Sequence, residues 1–133
     1  MSNLYVGQEI CEEKIFTTHD VENFAQISGD YNPIHLDEEY ARRSRFGGTI
    51  VHGLLVSGLI SKMIGMDMPG EGSIYMEQNL RFRKPVYVGE KVVAKIKIAD
   101  IDKGRNIYTL ETNVYNSKEE CVIEGNAKVL YEG

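Results

Sequence analysis

Only two of the 133 residues are cysteines, Cys11 and Cys121, and they lie far apart with no Cys-x-x-Cys pair. A zinc site wants more ligands at closer spacing, so no metal centre is expected; two isolated thiols suit a reducing compartment. Positive charge is also in short supply: 15 Lys and Arg stand against 20 Asp and Glu, a net charge of -5. Nucleic-acid binding asks for a basic face, so no such partner is expected, although an anionic small molecule would need only a local basic cluster. Met1 to Gln8 have neither the basic start nor the long apolar run of an export signal. The most apolar stretch, Leu54 to Met68, is interrupted by Ser57, Gly58, Ser61 and Lys62, too short and too broken to span a membrane. No repeat or low-complexity segment is present. These absences describe a cytoplasmic protein with neither nucleic acid nor membrane as partner.

What remains is an ordinary globular composition, 42% hydrophobic and 26% charged, at the length of one domain covering residues 1–133. The two halves differ in texture. Up to about Met68 the chain reads as helices and loops; beyond Gly72 it reads as strands. A short strand is expected over Glu9 to Phe16. Thr17-Thr18 with Asp20 supplies a cap and a first-turn acid, and Val21, Phe24, Ala25 and Ser28 follow at helical spacing. Gly29 ends that helix, since glycine accepts the left-handed terminus. Pro33 stiffens the loop that follows, and Asp37 is placed to cap a short helix through about Arg43. From Gly53, apolar residues occupy positions 54, 55, 56, 59, 60, 63 and 64, nearly all round, which predicts a helix buried on most sides and closed by Pro69-Gly70.

The second half alternates with period two. Ile74, Met76, Leu80 and Phe82 are expected on one face, and Val92, Ala94, Ile96 and Ile98 on another. Tyr108, Leu110, Thr112 and Val114 form a third set; Cys121, Ile123, Ala127 and Val129 form a fourth. Turn signals fall at Val88-Gly89, Lys103-Gly104 and Asn116-Ser117. Long antiparallel strands with one apolar helix to cover them predict an α+β domain, a curved antiparallel sheet wrapped around a central helix.

Two segments carry candidate chemistry. Gly29 to His35 sets a carboxylate, Asp30, and an imidazole, His35, on one proline-stiffened loop, the elements of a general acid–base pair. Asn32 can bond its own backbone there. The same residues also suit a tight turn with Asp30 bonding backbone and His35 packing, and the loop alone does not separate the two. Thr49 to Gly53 leads straight into the apolar helix. A helix N-terminus offers unpaired N–H groups, and a glycine lets a ligand come close, so the N–H of Gly53 is a candidate donor to a carbonyl oxygen turning into an enolate. A glycine needed only for packing is the other reading. His52 reads as a core histidine satisfied by backbone.

Four blocks then combine. Phe24-Ala-Gln-Ile-Ser-Gly-Asp-Tyr-Asn-Pro-Ile-His-Leu-Asp resembles the signature of the MaoC-like, (R)-specific enoyl-CoA hydratases, and Phe46-Gly-Gly-Thr-Ile-Val-His-Gly resembles their second block at the expected distance. Pro69-Gly-Glu-Gly-Ser-Ile-Tyr and Phe82-Arg-Lys-Pro-Val-Tyr-Val-Gly-Glu are similar to the short bacterial hydratases that feed polyhydroxyalkanoate synthesis. The resemblance implies the hot-dog fold and reversible syn hydration of a short trans-2-enoyl-CoA to the (R)-3-hydroxyacyl-CoA. It also implies a homodimer with sheets joined edge to edge. No separate cofactor is implied, because coenzyme A is part of the acyl-CoA thioester substrate. The family's catalytic aspartate and histidine fall on Asp30 and His35. Its loop asparagine falls on Asn32, its helix-start glycine on Gly53, and a helix serine on Ser61, where a small residue for packing is an equal reading. Chain length is expected to depend on helix side chains such as Met63 and Ile64. Arg42, Arg43, Arg45, Arg81, Arg83 and Lys84 are the cations available for the CoA phosphates. A hot-dog acyl-CoA thioesterase, a dehydratase acting on an acyl-carrier protein, and a non-catalytic acyl-CoA-binding module are the competing functions.

Overall fold

In the computed structural model, which describes residues 3–133, the chain runs β1 (Glu9–Ile15), α1 (Thr18–Ser28), α2 (Pro33–Leu36), α3 (Glu38–Arg42), α4 (Gly53–Met66), β2 (Ile74–Phe82), β3 (Lys91–Asp102), β4 (Ile107–Tyr115) and β5 (Cys121–Leu130). The strands form one antiparallel sheet in the order β1-β3-β4-β5-β2. The alternation explains its inner face: Val92, Ala94, Ile96 and Ile98 of β3, with Leu110 and Val114 of β4, are fully buried. Against them lie Val56, Leu59, Ile60, Met63 and Ile64 of α4. This is the hot-dog arrangement, a sheet curved around one helix. Thr112 is the polar residue in the buried stripe of β4, and Gln78 Nε2 donates to its hydroxyl at 2.9 Å.

The caps behave as their residue types dictate. Thr17 accepts from Asp20 N–H while the Asp20 carboxylate accepts from Thr17 N–H, a reciprocal capping box. Those bonds to the Thr17 backbone and hydroxyl hold the Asp20 carboxyl below the usual carboxylate range, against the opposing push of burial. Gly29 ends α1 at φ 83, and Asp37 caps α3 through Tyr40 N–H.

Three expectations need correction. Residues 33–36 are one helical turn rather than open loop, with Pro33 at the first position, where its missing N–H costs nothing. A bulge between Tyr75 and Glu77 reverses the parity of β2. Tyr75, Gln78, Leu80 and Phe82 therefore pair with Val129, Ala127, Gly125 and Ile123 on the inward side, leaving Ile74 and Met76 more than half exposed. Finally, α4 is not enclosed on most sides. Leu54, Gly58, Ser61 and Lys62 form an exposed stripe along it, with Leu54 63% exposed, because the sheet covers only the opposite face.

Gly125 marks where β5 and β2 come closest. A Cβ there would lie 2.2 Å from the backbone oxygen of Asn79, an atom of the adjacent strand that cannot swing aside. Gly125→Ala is expected to destabilise the fold by about 1–3 kcal/mol. A urea midpoint within error of the parent would contradict this reading.

Candidate active site

The two candidate segments meet. The turn α1–Gly29–α2 carries Asp30 and His35, the run into α4 carries His52 and Gly53, and together they line one cavity of about 580 Å³. A backbone bond joins the segments, Ile50 N–H donating to Ile34 O at 3.3 Å, and Val51 N–H donates to Val86 O at 2.7 Å, anchoring the run into α4 to the β2–β3 connection.

Each functional group is fixed by its neighbours. His35 Nδ1 lies 2.7 Å from Ile50 O. A carbonyl can only accept, so Nδ1 carries the proton and Nε2 keeps an open lone pair. Asp30 Oδ1 accepts from Asn32 N–H at 3.1 Å; no protein donor among the described residues takes its second oxygen. Asp30 itself is exposed and His35 half-buried. Ligand atoms of Asp30, His35 and His52 all lie within 4.8 Å of one another. A water accepted by two groups at ~2.8 Å each, at a tetrahedral angle, spans ~4.6 Å. That span lies inside the 4.8 Å limit on the separation of Asp30 and His35.

The same three residues do not make a preformed metal centre. Histidine binds a metal along a lone pair in its ring plane, whereas the rings of His35 and His52 are stacked at 3.9 Å with planes only 26° apart. Their lone pairs run side by side instead of converging.

Gly53 begins α4, and its N–H, like that of Leu54, has no protein acceptor among the described residues. Both residues line the cavity. The absent side chain matters: a Cβ would lie 2.5 Å from Phe82 Cε1, so Phe82 closes over the helix start only because position 53 is glycine.

Two residues are not where the sequence suggested. Asn32 does not line the cavity. It caps α2, its Oδ1 accepting from Ile34 N–H at 3.4 Å, and its own N–H holds Asp30. It positions the turn and reaches no oxyanion. Ser61 is exposed and also outside the cavity, since eight residues of helix carry it ~12 Å along the axis from Gly53. Met63 and Ile64 are buried in the core beneath α4. Val56, Val86 and Ile123 wall the cavity instead.

Three cations, Arg45, Arg83 and Lys84, are among the lining residues, but Arg83 pairs with Glu124 at 2.6 Å and Lys84 with Glu120 at 2.8 Å. The Lys84 bond, followed by that of Asn116, holds the Glu120 carboxyl below its usual range. Arg45, over the Phe46 ring at 5.7 Å, has no acidic partner among the described residues. Burial, then the Glu124 carboxylate, pushes the Cys121 thiol up, away from the thiolate form.

Sequence reasoning passed over Phe82, and it underrated His52, which is 3% exposed. His52 Nε2 lies 3.0 Å from Asp30 O, so one half of the expected backbone-satisfied histidine is found. The other half is not, for Nδ1 is buried without any partner, a situation that costs about 1–3 kcal/mol. The only hint in the sequence was its place immediately before the helix-start glycine.

With this geometry in view, the chain was compared with known proteins. Residues 6–120 match the family model described as MaoC like domain. The (R)-specific enoyl-CoA hydratase of Aeromonas caviae is 38% identical over 127 residues, 96% of this chain and 95% of the relative. The 3-hydroxybutyryl-CoA dehydratase of Methylorubrum extorquens is 40% identical over 127 residues, 96% of this chain and 80% of the relative. The solved structure of the Aeromonas caviae (R)-hydratase involved in PHA biosynthesis superposes with a TM-score of 0.96 at 37% identity, covering 98% of this chain and 99% of that one.

Proposed function

The chain belongs to the MaoC-like domain family, and on that premise we infer that it is an (R)-specific enoyl-CoA hydratase, a hydro-lyase that reversibly adds water to trans-2-enoyl-CoA. The observation that carries this reading is a carboxylate and an imidazole, their ligand atoms within 4.8 Å of one another, facing one cavity with the unpaired helix-start N–H groups.

In the reaction, water held between Asp30 and His35 Nε2 attacks the β-carbon. Its oxygen bonds to that carbon while electrons of the double bond move onto the thioester oxygen. Gly53 N–H donates to the enolate oxygen as charge develops, and such a donor is commonly worth a few kcal/mol. The proton taken from water returns to the α-carbon from the same face, which makes the addition syn. Asp30 and His35 serve as one coupled acid–base unit. Asn32 holds Asp30 in place. No separate cofactor enters any step; coenzyme A is part of the substrate, and Arg45 is the cation free to meet its phosphates.

Further features belong to the same proposal. The substrate is short-chain, since Val56, Val86 and Ile123 wall the cavity close to the reacting groups, and the product supplies polyhydroxyalkanoate synthesis, as the Aeromonas relative's description suggests. The protein acts in the cytoplasm; among the described residues no helix is long and apolar enough to cross a membrane. It works as a homodimer. The outer edge of β2 is unpaired, an invitation to pairing, and Ile74, Met76 and Phe82 of that strand are exposed together with Leu54 of α4. Two copies joined there turn two five-stranded sheets into one. Light scattering should give twice the 15.0 kDa chain mass, whereas a stable monomer would contradict the pairing.

The function is tested with crotonyl-CoA. Loss of the enoyl absorbance without release of free thiol, yielding (R)-3-hydroxybutyryl-CoA, is the expected result, with rates falling from C4 to C12 substrates. Thiol release would instead mark a thioesterase, tight binding without turnover a binding module, and turnover confined to carrier-protein substrates a different acyl carrier.

A further inference from the structure

We propose that His52 is a positioning residue that holds Asp30 and His35 in register, tying one by its ring edge and supporting the other by its ring face. The inference rests on the hydratase reading above, but its geometry stands independently. His52 Nε2 lies 3.0 Å from the backbone oxygen of Asp30, which as a carbonyl can only accept, so Nε2–H is the donor. The ring of His52 stacks on His35 with centroids 3.9 Å apart, and the tilted Phe24 ring lies 4.8 Å from it. His52 itself sits at the N-cap of α4, immediately before Gly53. One imidazole thus touches both members of the water-binding pair and the element that presents the N–H donors.

The fold alone does not require a histidine here. The other buried polar side chain, Thr112, has a partner in Gln78, whereas at position 52 the core tolerates a buried ring nitrogen, Nδ1, with no hydrogen-bond partner. A residue serving only to fill space would leave no such atom. Its cap position is not the reason either, for the side chain makes no capping bond to α4. What only this ring supplies is a flat face for His35 and an N–H for Asp30 at once. Without the face, His35 is held by a single bond, to Ile50 O, and can turn about it. Without the N–H, the Asp30 backbone is tied only through the exposed Ser28 hydroxyl at its own N–H.

Two substitutions separate these contributions. His52→Phe keeps a ring to stack and loses the donor; His52→Gln keeps an amide donor and loses the ring. Because reacting groups displaced by about 1 Å cost up to ~100-fold in rate, each variant is expected to lower kcat on crotonyl-CoA by about tenfold or more with KM near the parent's. The second readout needs no turnover. The chain has only 3 histidines, so their ring nitrogens are readily assigned by ¹⁵N NMR. His35 should show a fixed Nδ1–H form in the parent and in His52→Phe, and averaged nitrogens in His52→Gln. The amide of Asn32, bonded to Asp30 Oδ1, should exchange faster in His52→Phe only. Unchanged His35 nitrogens and Asn32 exchange in both variants would overturn the proposal, whether or not the parent hydrates crotonyl-CoA. Loss of thermal stability with kcat per folded molecule preserved would overturn it too, by making His52 structural. A parent that shows these NMR signatures yet no hydration would leave His52 as positioned and sink the hydratase reading instead.

Discussion

Asp30→Asn and His35→Ala should each lower crotonyl-CoA turnover by about 10²–10⁴-fold, the range for loss of a positioned acid or base, while leaving the fold intact. The two changes probe different parts of the same water site. Asparagine at position 30 retains an oxygen to accept from Asn32 N–H at 3.1 Å, so the turn keeps its shape while the second acceptor becomes an amide that cannot take a proton. Alanine at 35 removes Nε2 and also the bond from Nδ1 to Ile50 O. That leaves a carbonyl short of a partner and costs about 1–3 kcal/mol of stability. A far-ultraviolet circular dichroism spectrum and a melting curve for each variant separate lost chemistry from lost structure. Because the two side chains share one water, the double variant should be scarcely slower than either single one, the behaviour of groups that act as a unit. Near-parental rates in either single variant would remove the pair from the mechanism.

Gly53→Ala should cost about 10²–10³-fold in kcat, the loss associated with a displaced oxyanion donor. The added methyl would lie 2.5 Å from Phe82 Cε1 and 2.6 Å from Cδ1, so something must move. Phe82 ends β2 and is 53% exposed, and its ring can swing outward. Stability should therefore change little, in contrast with Gly125→Ala, where the obstacle is backbone. The rate suffers all the same, because the methyl drives the Phe82 ring from its place over the helix start. Pairing the change with Phe82→Ala divides the cause. Partial recovery in the double variant means the clash had shifted α4, and no recovery means the methyl itself keeps the thioester away. A Gly53→Ala enzyme within about twofold of the parent would discount the helix start as the oxyanion site.

Much of this site is legible in the order of residues 24–53. Thr17, Gly29 and Asp37 mark helix ends by local chemistry, and their caps are found where those side chains predict. Asp30 and His35 come together because one capped turn carries both, whereas Gly53 is brought to them by bonds between distant residues, His35 Nδ1 to Ile50 O and Ile50 N–H to Ile34 O. Local chemistry gave Asn32 its backbone bond, here from Ile34 N–H; the substrate contact was implied by the resemblance alone. Local chemistry could not place Ser61. Ser61 sits on a helix whose rotation is decided by which face the sheet covers, a fact no single segment contains. The same cause misled the reading of α4 as enclosed and of Met63 and Ile64 as walls of the pocket.

By itself, then, the sequence determined the elements, the capped turn that carries Asp30 and His35, and the glycine-started helix beside it. All of these follow from forces acting within a few residues. The tertiary structure decided the rest through contacts between distant segments. It turned the parity of β2 with one bulge, closed Phe82 over Gly53 and chose the exposed face of α4. It also laid His52 against both His35 and the Asp30 backbone. A histidine read as a core residue satisfied by backbone came to hold the site together because neither its stacking partner nor its carbonyl lies near it in the chain.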